Sequence, residues 1–211
     1  MDLESREQLR LNTLLSFEKE AKKLGFSKIA GIDEAGRGPL AGPVVACACL
    51  IPEGVLFAGV DDSKQLTPKK REHLFEEITS HKAVKYGFGV IDAKTIDEVN
   101  IFQATILAML QAVASLAEEP DYLLVDGLKL PHKTIASQKI IRGDALSHSI
   151  AAASILAKVF RDQEMVKYDA LWPEYGFKQH KGYGTKMHLD ALKVHGPSPI
   201  HRLSFAPCRE L

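Results

Sequence analysis

The chain has 211 residues, a length that suits one folded domain, and such a domain buries roughly 70% of the surface exposed by its unfolded chain. Its 27 basic and 27 acidic residues leave no net charge, so average charge argues neither for nor against a polyanionic partner. Cys47, Cys49 and Cys208 have no CxxC spacing, a pattern that argues against disulfides and a zinc site. The start, MDLESREQLR, lacks the apolar core of a signal peptide, and no apolar stretch approaches the ~18 residues needed to cross a bilayer. We therefore expect a cytoplasmic protein in a reducing compartment, with no membrane partner.

The first elements in chain order are a helix and a hairpin. Residues 1–23 place leucines among charges and predict an amphipathic helix that ends at Gly25, as an N-terminal appendage over residues 1–27. The segment KIAGID then predicts a short strand, GRGPLAGP a turn, and VVACACLI an apolar strand. Together they indicate a hairpin at the start of a sheet.

The following segments alternate between the helical and the extended pattern. The predicted elements are a helix at Pro68–Ser80, a strand at Val84–Ile91, a helix at Ile101–Ala117, strands at Asp121–Asp126 and Lys139–Arg142, and a helix from Asp144 to about Trp172. On the last helix, an apolar stripe is predicted to face the sheet, formed by Leu146, Ile150, Ala153, Ala157 and Phe160. The pattern predicts one α/β domain with a core over residues 28–172.

A helical, basic part of the same domain is predicted over residues 173–211. Its basic residues greatly outnumber its acids up to Ser204, and four histidines, His180, His188, His195 and His201, lie among them in no zinc-binding spacing. They are interpreted as surface residues or helix-end partners. In the segment HKGYGT, the ring of Tyr183 can stack on a base or a sugar and its hydroxyl can contact a 2′-OH. The alternative is a core tyrosine at a turn.

Four acids stand at the ends of predicted elements. Asp33 and Glu34 close the first strand, Asp126 closes an apolar strand, and Asp144 opens the long helix. Strand ends of one sheet can converge, and carboxylate oxygens are hard ligands suited to Mg²⁺ or Mn²⁺. A site with two such ions could activate water and stabilise the leaving oxygen of a phosphodiester. Taken singly, each acid also has a structural interpretation. Asp144 could cap its helix, Asp126 could be a turn residue, and one of the adjacent acids Asp33 and Glu34 could simply be exposed to solvent.

Three further sets of residues could contact a phosphate. Gly36 and Gly38 bracket Arg37 after the acidic pair, so that bare backbone and a cation can approach a ligand, although a tight turn is the alternative. Lys64 lies in a loop with Asp62 and Ser63. On the long helix, small and basic residues follow each other at steps of three and four and form a ridge, or else a solvated helix face: Ser147, Ala151, Ser154, Lys158 and Arg161.

Five motifs together resemble the signature set of the ribonuclease HII family. In chain order between Ile29 and Phe205 they are DEAGRG, DSKQL, VDG, GDALSHSIAAASILAKVFRD and HKGYGT. The resemblance implies a ribonuclease H-like fold with a central mixed sheet and a helical C-terminal extension. It also implies hydrolysis of RNA in RNA/DNA hybrids and at ribonucleotides embedded in DNA, with 5′-phosphate and 3′-hydroxyl products and two Mg²⁺ or Mn²⁺ ions during catalysis. The protein is expected to be monomeric.

The resemblance also implies roles for individual residues. The four catalytic and metal-binding acids would be Asp33, Glu34, Asp126 and Asp144. The substrate-binding residues would be Gly36, Arg37 and Gly38 at the ribose, Tyr183 at the RNA-to-DNA junction, and Lys64, Ser154, Lys158 and Arg161 along the backbone. Arg37 and Asp144 differ from the lysine and glutamate usual in ribonuclease HIII. The rival interpretations are a hybrid-binding protein that does not cut and a resolvase-like or transposase-like nuclease.

Overall fold

The protein is described by a computed structural model over residues 3–210; Met1, Asp2 and Leu211 lie outside the described residues. Its five strands are β1 (Ile29–Ala35), β2 (Val44–Leu50), β3 (Lys85–Ile91), β4 (Tyr122–Asp126) and β5 (Ala136–Ile140). Its α-helices are α1 (Leu3–Leu14), α2 (Ser16–Lys23), α3 (Pro68–Ser80), α4 (Ala93–Val99), α5 (Ile101–Ala114), α6 (His148–Leu171), α7 (Phe177–His180) and α8 (Lys186–His195). The predicted α/β fold with a mixed sheet flanked by helices is confirmed.

The strand order β3-β2-β1-β4-β5 brings two distant strand ends together. β1 is antiparallel to β2 but parallel to β4, and Ile32 is in register with Val125. The next residues of these two strands are Asp33 and Asp126. Because parallel strands end at the same edge of a sheet, the two carboxylates lie side by side there.

Both faces of the sheet are covered, which explains why β2 is apolar at every position. Cys47 and Cys49 pack on the side of α6, whereas Ala46 and Ala48 pack on the side of α4 and α5. Gly31 permits an especially close approach of α6 to β1, because a Cβ there would lie 2.2 Å from the backbone carbon of Ser149. This contact fixes the start of α6 against the strand that carries Asp33.

The N-terminal part differs from the single helix predicted over residues 1–23. Within the described residues it forms two helices that are separated at Leu15. Leu11 and Leu14 are buried in the same cluster as residues of α6. The buried carboxylate of Glu18 accepts hydrogen bonds from the hydroxyls of Ser147 and Ser149 and from the Ser149 N–H. The appendage therefore contacts the start of α6 directly.

The start of the long helix also needs correction. Asp144 lies in a short 3-10 turn, Gly143–Ala145, and α6 begins at His148 with Ser147 as its N-cap. The cap interpretation of Asp144 is therefore wrong. Leu146 precedes the helix and is 46% exposed, so it does not belong to the buried stripe, whereas Ile150 does.

Two smaller differences concern α4 and β5. The helix α4 was not predicted, and β5 begins three residues earlier than the predicted strand, at Ala136. None of the helices in the described range combines the length and apolar character needed to cross a bilayer. The division into parts 1–27, 28–172 and 173–211 stays a prediction.

Candidate active site

The four predicted acids lie around the carboxyl edge formed by β1 and β4. The Glu34 N–H donates to Asp33 Oδ1 at 2.7 Å, and the Gly143 N–H donates to Asp126 Oδ1 at 2.6 Å. The second bond ties the turn that contains Asp144 to the end of β4. Asp33 and Asp144 are buried, while Glu34 and Asp126 are partly exposed. The acids thus form one cluster, which we call the carboxylate edge.

The electrostatics of the carboxylate edge are unfavourable in the absence of a cation. Burial, and then the charges of Glu34 and Asp126, raise the pKa of Asp33 well above its usual value. Burial also raises the pKa of Glu34, an effect that the charge of Arg37 opposes. The pKa of Asp144 is raised by burial and by the neighbouring charges of Asp62 and Asp126. Folding therefore brings together carboxylates that repel one another.

Two basic side chains lie at the rim of this cluster. Arg37 Nη1 is 3.3 Å from Glu34 Oε1, and Lys64 Nζ is 3.6 Å from Asp144 Oδ2. Between residues 3 and 210, no lysine or arginine forms an ion pair with Asp33 or Asp126. Asp33 and Asp126 consequently have no ion-pair partner among the described lysines and arginines.

The donor set suits a hard divalent cation. It consists of carboxylate oxygens, the ligands that Mg²⁺ and Mn²⁺ prefer. Within the described range, no three His, Cys, Asp or Glu side chains are close enough together to hold a metal ion by themselves. Mg²⁺ commonly retains water and substrate phosphates among its ligands, so the protein does not have to supply all of them. The residues present therefore fit such a cation.

The glycine loop between β1 and β2 is held from beneath by a buried arginine. Gly36 has a φ of +95°, and a Cβ there would clash with the side chain of Arg161. The guanidinium of Arg202, which is fully buried, donates hydrogen bonds to the carbonyls of Gly36, Arg37 and Gly42. Arg37 and Gly38 remain exposed. The loop thus presents its outer side to solvent in a fixed conformation.

Arg161 does not have the position that a phosphate ligand requires. It is 1% exposed, and its guanidinium donates hydrogen bonds to the carbonyls of Ala41, Pro43 and Lys181. The prediction that Arg161 contacts the nucleic-acid backbone is therefore wrong, because the side chain joins two loops inside the protein.

Ser154 and Lys158, from the same predicted ridge, differ in exposure. Ser154 is 3% exposed, its hydroxyl donates to the Ser63 hydroxyl at 2.9 Å, and its proximity to Asp33 opposes part of the rise in the pKa of that carboxyl. It too is too buried to hold the substrate backbone as predicted. Lys158 is partly exposed, with its Nζ 2.8 Å from Asp162 and 5.9 Å from the centre of the Tyr183 ring.

Tyr183 projects from the HKGYGT turn and is 45% exposed. A Cβ built on Gly38 would lie 3.9 Å from Cε1 of this ring, so Tyr183 adjoins the glycine loop. Tyr183 and Lys158 also line a groove of about 680 Å³ together with residues of α3. The alternative of a core tyrosine does not agree with this exposure.

Sequence reasoning missed several residues that support the site. Arg202 was recognised only as part of a basic segment, Asp62 was not recognised as a neighbour of Asp144, and Glu18 was not considered. His180, His188 and His201 are buried, which contradicts the interpretation that the histidines lie at the surface, although His195 is exposed. No sequence pattern signals burial for these polar residues: Glu18 and Arg202 are satisfied by distant segments of the chain, and the histidines by local carbonyls, N–H groups and one another.

A mixed sheet with clustered carboxylates at one edge, beside an exposed glycine loop and basic side chains, is typical of metal-dependent nucleases. Comparison with known proteins identifies the family of nucleases to which this chain is similar. The family model described as Ribonuclease HII matches residues 30–208. Ribonuclease HII of Chlamydia trachomatis serovar L2 is 59% identical over 194 residues, which cover 92% of this chain and 89% of that protein. Ribonuclease HII of Chlamydia pneumoniae is 55% identical over 202 residues, which cover 96% and 94%.

A solved structure agrees with this assignment. The ribonuclease H2 of Pyrococcus horikoshii OT3 superimposes with a TM-score of 0.71 at 31% identity, covering 87% of this chain and 96% of that one. The chain belongs to the ribonuclease HII family, and the predicted ribonuclease H-like fold is confirmed. It is a hydrolase of the endoribonuclease type, from a family that cleaves RNA in RNA/DNA hybrids and at embedded ribonucleotides.

Proposed function

We propose that this chain uses Asp33, Glu34, Asp126 and Asp144 as its catalytic, metal-binding residues, and that cleavage leaves a 5′-phosphate and a 3′-hydroxyl. The observation that carries this proposal is the carboxylate edge itself, where buried acids raise one another's pKa without a cation from the protein beside Asp33. Such an arrangement is by itself a cost to folding, because buried carboxylates repel one another. Divalent cations would compensate this repulsion when they bind.

The cofactor is Mg²⁺ or Mn²⁺, with two ions in each active site during catalysis. When bound, these ions would neutralise the carboxylates, activate a water and stabilise the leaving oxygen. The protein's own contribution is to fix the carboxylates. Asp33 is held by the Glu34 N–H and Asp126 by the Gly143 N–H, so that these oxygens need little reorganisation.

The substrate lies against the exposed side of the glycine loop. The backbone of Gly36, Arg37 and Gly38 reads the ribose 2′-OH, and Arg202 maintains the conformation in which it does so. Lys64 and Lys158 contribute positive charge beside the acids and beside Tyr183. The Tyr183 ring stacks at the RNA-to-DNA junction.

The remaining parts of the proposal concern the compartment, the oligomeric state and the partner of the enzyme. We place it in the cytoplasm as a monomer with nucleic acid as its partner. The described cysteines, Cys47, Cys49 and Cys208, are free and buried, as expected for a reducing compartment.

The test compares cleavage of three duplexes: DNA with one embedded ribonucleotide, an RNA/DNA hybrid and an all-DNA control. Each is incubated with Mg²⁺, with Mn²⁺ and with EDTA, and the product ends are identified by their susceptibility to phosphatase and ligase. We expect metal-dependent cutting beside ribonucleotides only. Tight hybrid binding without cutting would indicate a binding protein, and equal cutting of the all-DNA duplex would indicate another nuclease of the same fold class.

A further inference from the structure

Three buried histidines lie beneath the turn that carries Tyr183. His180, His188 and His201 are 7%, 0% and 3% exposed. The rings of His180 and His188 stack with their centres 4.4 Å apart, and Nε2 of His188 lies 2.9 Å from Nε2 of His201. Burial lowers the pKa of all three, that of His201 to about 4. At neutral pH each ring is therefore neutral and carries one proton.

The hydrogen bonds around His201 and His188 fix where those protons are. The Ser198 N–H donates to His201 Nδ1 at 2.9 Å, and the Ser198 hydroxyl also lies against this atom, so Nδ1 is an acceptor. The proton of His201 is therefore on Nε2, which donates to His188 Nε2. His188 must then carry its proton on Nδ1, which donates to the Tyr183 carbonyl at 2.9 Å.

The hydrogen bonds around His180 fix the tautomer of that ring in the same way. The Gly182 N–H donates to His180 Nδ1, so the proton of His180 is on Nε2 and is donated to the Tyr175 carbonyl at 2.8 Å. Each ring thus has one consistent tautomer. The hydrogen bonds from Ser198 through His201 and His188 form a one-directional chain that ends on the backbone of Tyr183, and we call it the histidine relay.

The Tyr183 carbonyl, where the histidine relay ends, is one of three successive carbonyls that accept hydrogen bonds from other parts of the chain. The carbonyls of Lys181, Gly182 and Tyr183 accept hydrogen bonds from Arg161, from the Leu40 N–H and from His188, at 3.0, 2.8 and 2.9 Å. Three different parts of the chain therefore hold three successive residues. An exposed aromatic ring is attached to a backbone that has little freedom to rotate.

We propose that His188, with its proton placed by His201, is a positioning residue that holds the Tyr183 ring in the orientation used for the substrate. This inference rests on the substrate role given to Tyr183 under the proposed function. The Tyr183 carbonyl also accepts a hydrogen bond from the Thr185 N–H within its own turn, at 2.8 Å. A purely apolar core would fill the space of the histidines, but it would remove the one bond to this carbonyl that comes from α8. The relay acts through Tyr183 and does not itself touch nucleic acid.

The tautomers are testable in the wild-type protein. Long-range ¹⁵N–¹H correlation spectra of histidine-labelled enzyme, assigned by single His→Gln variants, distinguish a ring protonated on Nδ1 from one protonated on Nε2. We expect Nδ1–H for His188 and Nε2–H for His180 and His201. A His188 ring protonated on Nε2 would overturn the proposal, because it could not donate to the Tyr183 carbonyl.

Two matched variants separate the two ends of the His188 ring. In His188→Asn the amide lies near the former Nδ1 and can still donate to the Tyr183 carbonyl, whereas in His188→Gln it reaches toward His201. For DNA with one ribonucleotide, we expect kcat/KM to fall about tenfold in His188→Gln, equivalent to one hydrogen bond, and to stay within about threefold in His188→Asn. The exposed His195→Gln serves as the control and should cut like wild type. Equal losses in both His188 variants would overturn the positioning role.

The same His188→Gln change in a Tyr183→Ala background decides whether the effect passes through Tyr183. We expect Tyr183→Ala to be damaged and His188→Gln to cause no further loss of kcat/KM in that background. A damaged Tyr183→Ala enzyme that loses a further tenfold would overturn the positioning role alone. An undamaged Tyr183→Ala enzyme would overturn the substrate role in the proposed function, and this inference with it.

Discussion

The carboxylate edge and the Tyr183 turn are built in opposite ways. At the edge, burial and mutual repulsion raise the pKa of acids such as Asp33, and the basic side chains stand only at the rim. At the turn, neutral histidines and the guanidinium of Arg161 satisfy one backbone carbonyl after another. The region proposed to bind cations thus keeps an unfavourable charge distribution, whereas the region proposed to orient the Tyr183 ring satisfies its polar groups.

The largest expected effect is that of Asp33→Asn, which removes the charge at the edge while keeping the bulk. We expect cleavage of a hybrid to fall on the order of 10³-fold or more, with hybrid binding retained, because a metal ligand is lost. In metal-free buffer the variant should unfold at a higher urea concentration than wild type, because a buried repelling charge is gone. Rates, fluorescence anisotropy and urea unfolding measure the three quantities.

The matched control for this change is Asp190→Asn, on the exposed face of α8, where the carboxylate is paired only with Lys186. It should leave cleavage unchanged. If Asp33→Asn cuts hybrids as fast as this control, the assignment of the active site is wrong.

The next largest effect is a loss of stability when the buried Arg202 beneath the glycine loop is replaced. Arg202→Met should lower the free energy of unfolding by about 3 kcal/mol, because the carbonyls of Gly36, Arg37 and Gly42 lose their donors inside the protein. Urea denaturation checks this value against the exposed Arg209→Met. Equal stability of the two variants would mean that water replaces the guanidinium at no cost.

A smaller effect is expected from Tyr183→Ala, because stacking on one base contributes ~1–3 kcal/mol, or roughly ten- to hundredfold in rate. The loss should be greatest for DNA with a single ribonucleotide, where one junction determines recognition. Tyr183→Phe isolates the contribution of the hydroxyl. Unchanged cutting of this substrate by Tyr183→Ala would reject the junction role.

The last prediction concerns how the stability of the Tyr183 turn depends on pH. Because burial lowers the pKa of His201 from 6.5 to about 4, the folded protein binds its proton less tightly than the unfolded chain does. The stability that depends on the neutral ring is therefore complete above pH 6.5 and is lost as the pH falls from 6.5 toward 4. Urea unfolding of wild type and His201→Gln across this range should show a smaller decline in the variant. Parallel declines would contradict the low pKa.

The sequence predicted the regular elements well where local signals agree with tertiary packing. The bounds of α3 are as predicted, because Pro68 follows the capping residue Thr67 and the apolar pattern ends at Ser80. The acids of β1 and β4 could be predicted to converge from strand ends alone. By contrast, α4 was missed because it is short and is separated from α5 only by Asn100, which has a φ of +69°.

The failures share a physical cause. The ridge that contains Ser154 and Arg161 has the spacing of a solvated helix face, but α6 lies between the sheet and other segments, so polar residues there are buried as well. Arg161 donates to the carbonyls of Ala41 and Pro43, more than a hundred residues away in the chain, and Ser154 donates to the hydroxyl of the distant Ser63. A periodic pattern reports the polarity of a face and cannot identify such distant backbone partners.

The pairing of β1 with β4 has a consequence for how the enzyme emerges from the ribosome. Asp33 and Asp126 lie more than ninety residues apart, and β2, α3, β3, α4 and α5 are made between them. Contacts this distant in sequence close late in folding, because the intervening loop must first be ordered. A nascent chain that stops before β4 therefore contains the glycine loop but only half of the acids. Until the chain has been made as far as Asp144, it lacks two of the four acids proposed to bind metal and is not expected to cut the nucleic acid around it.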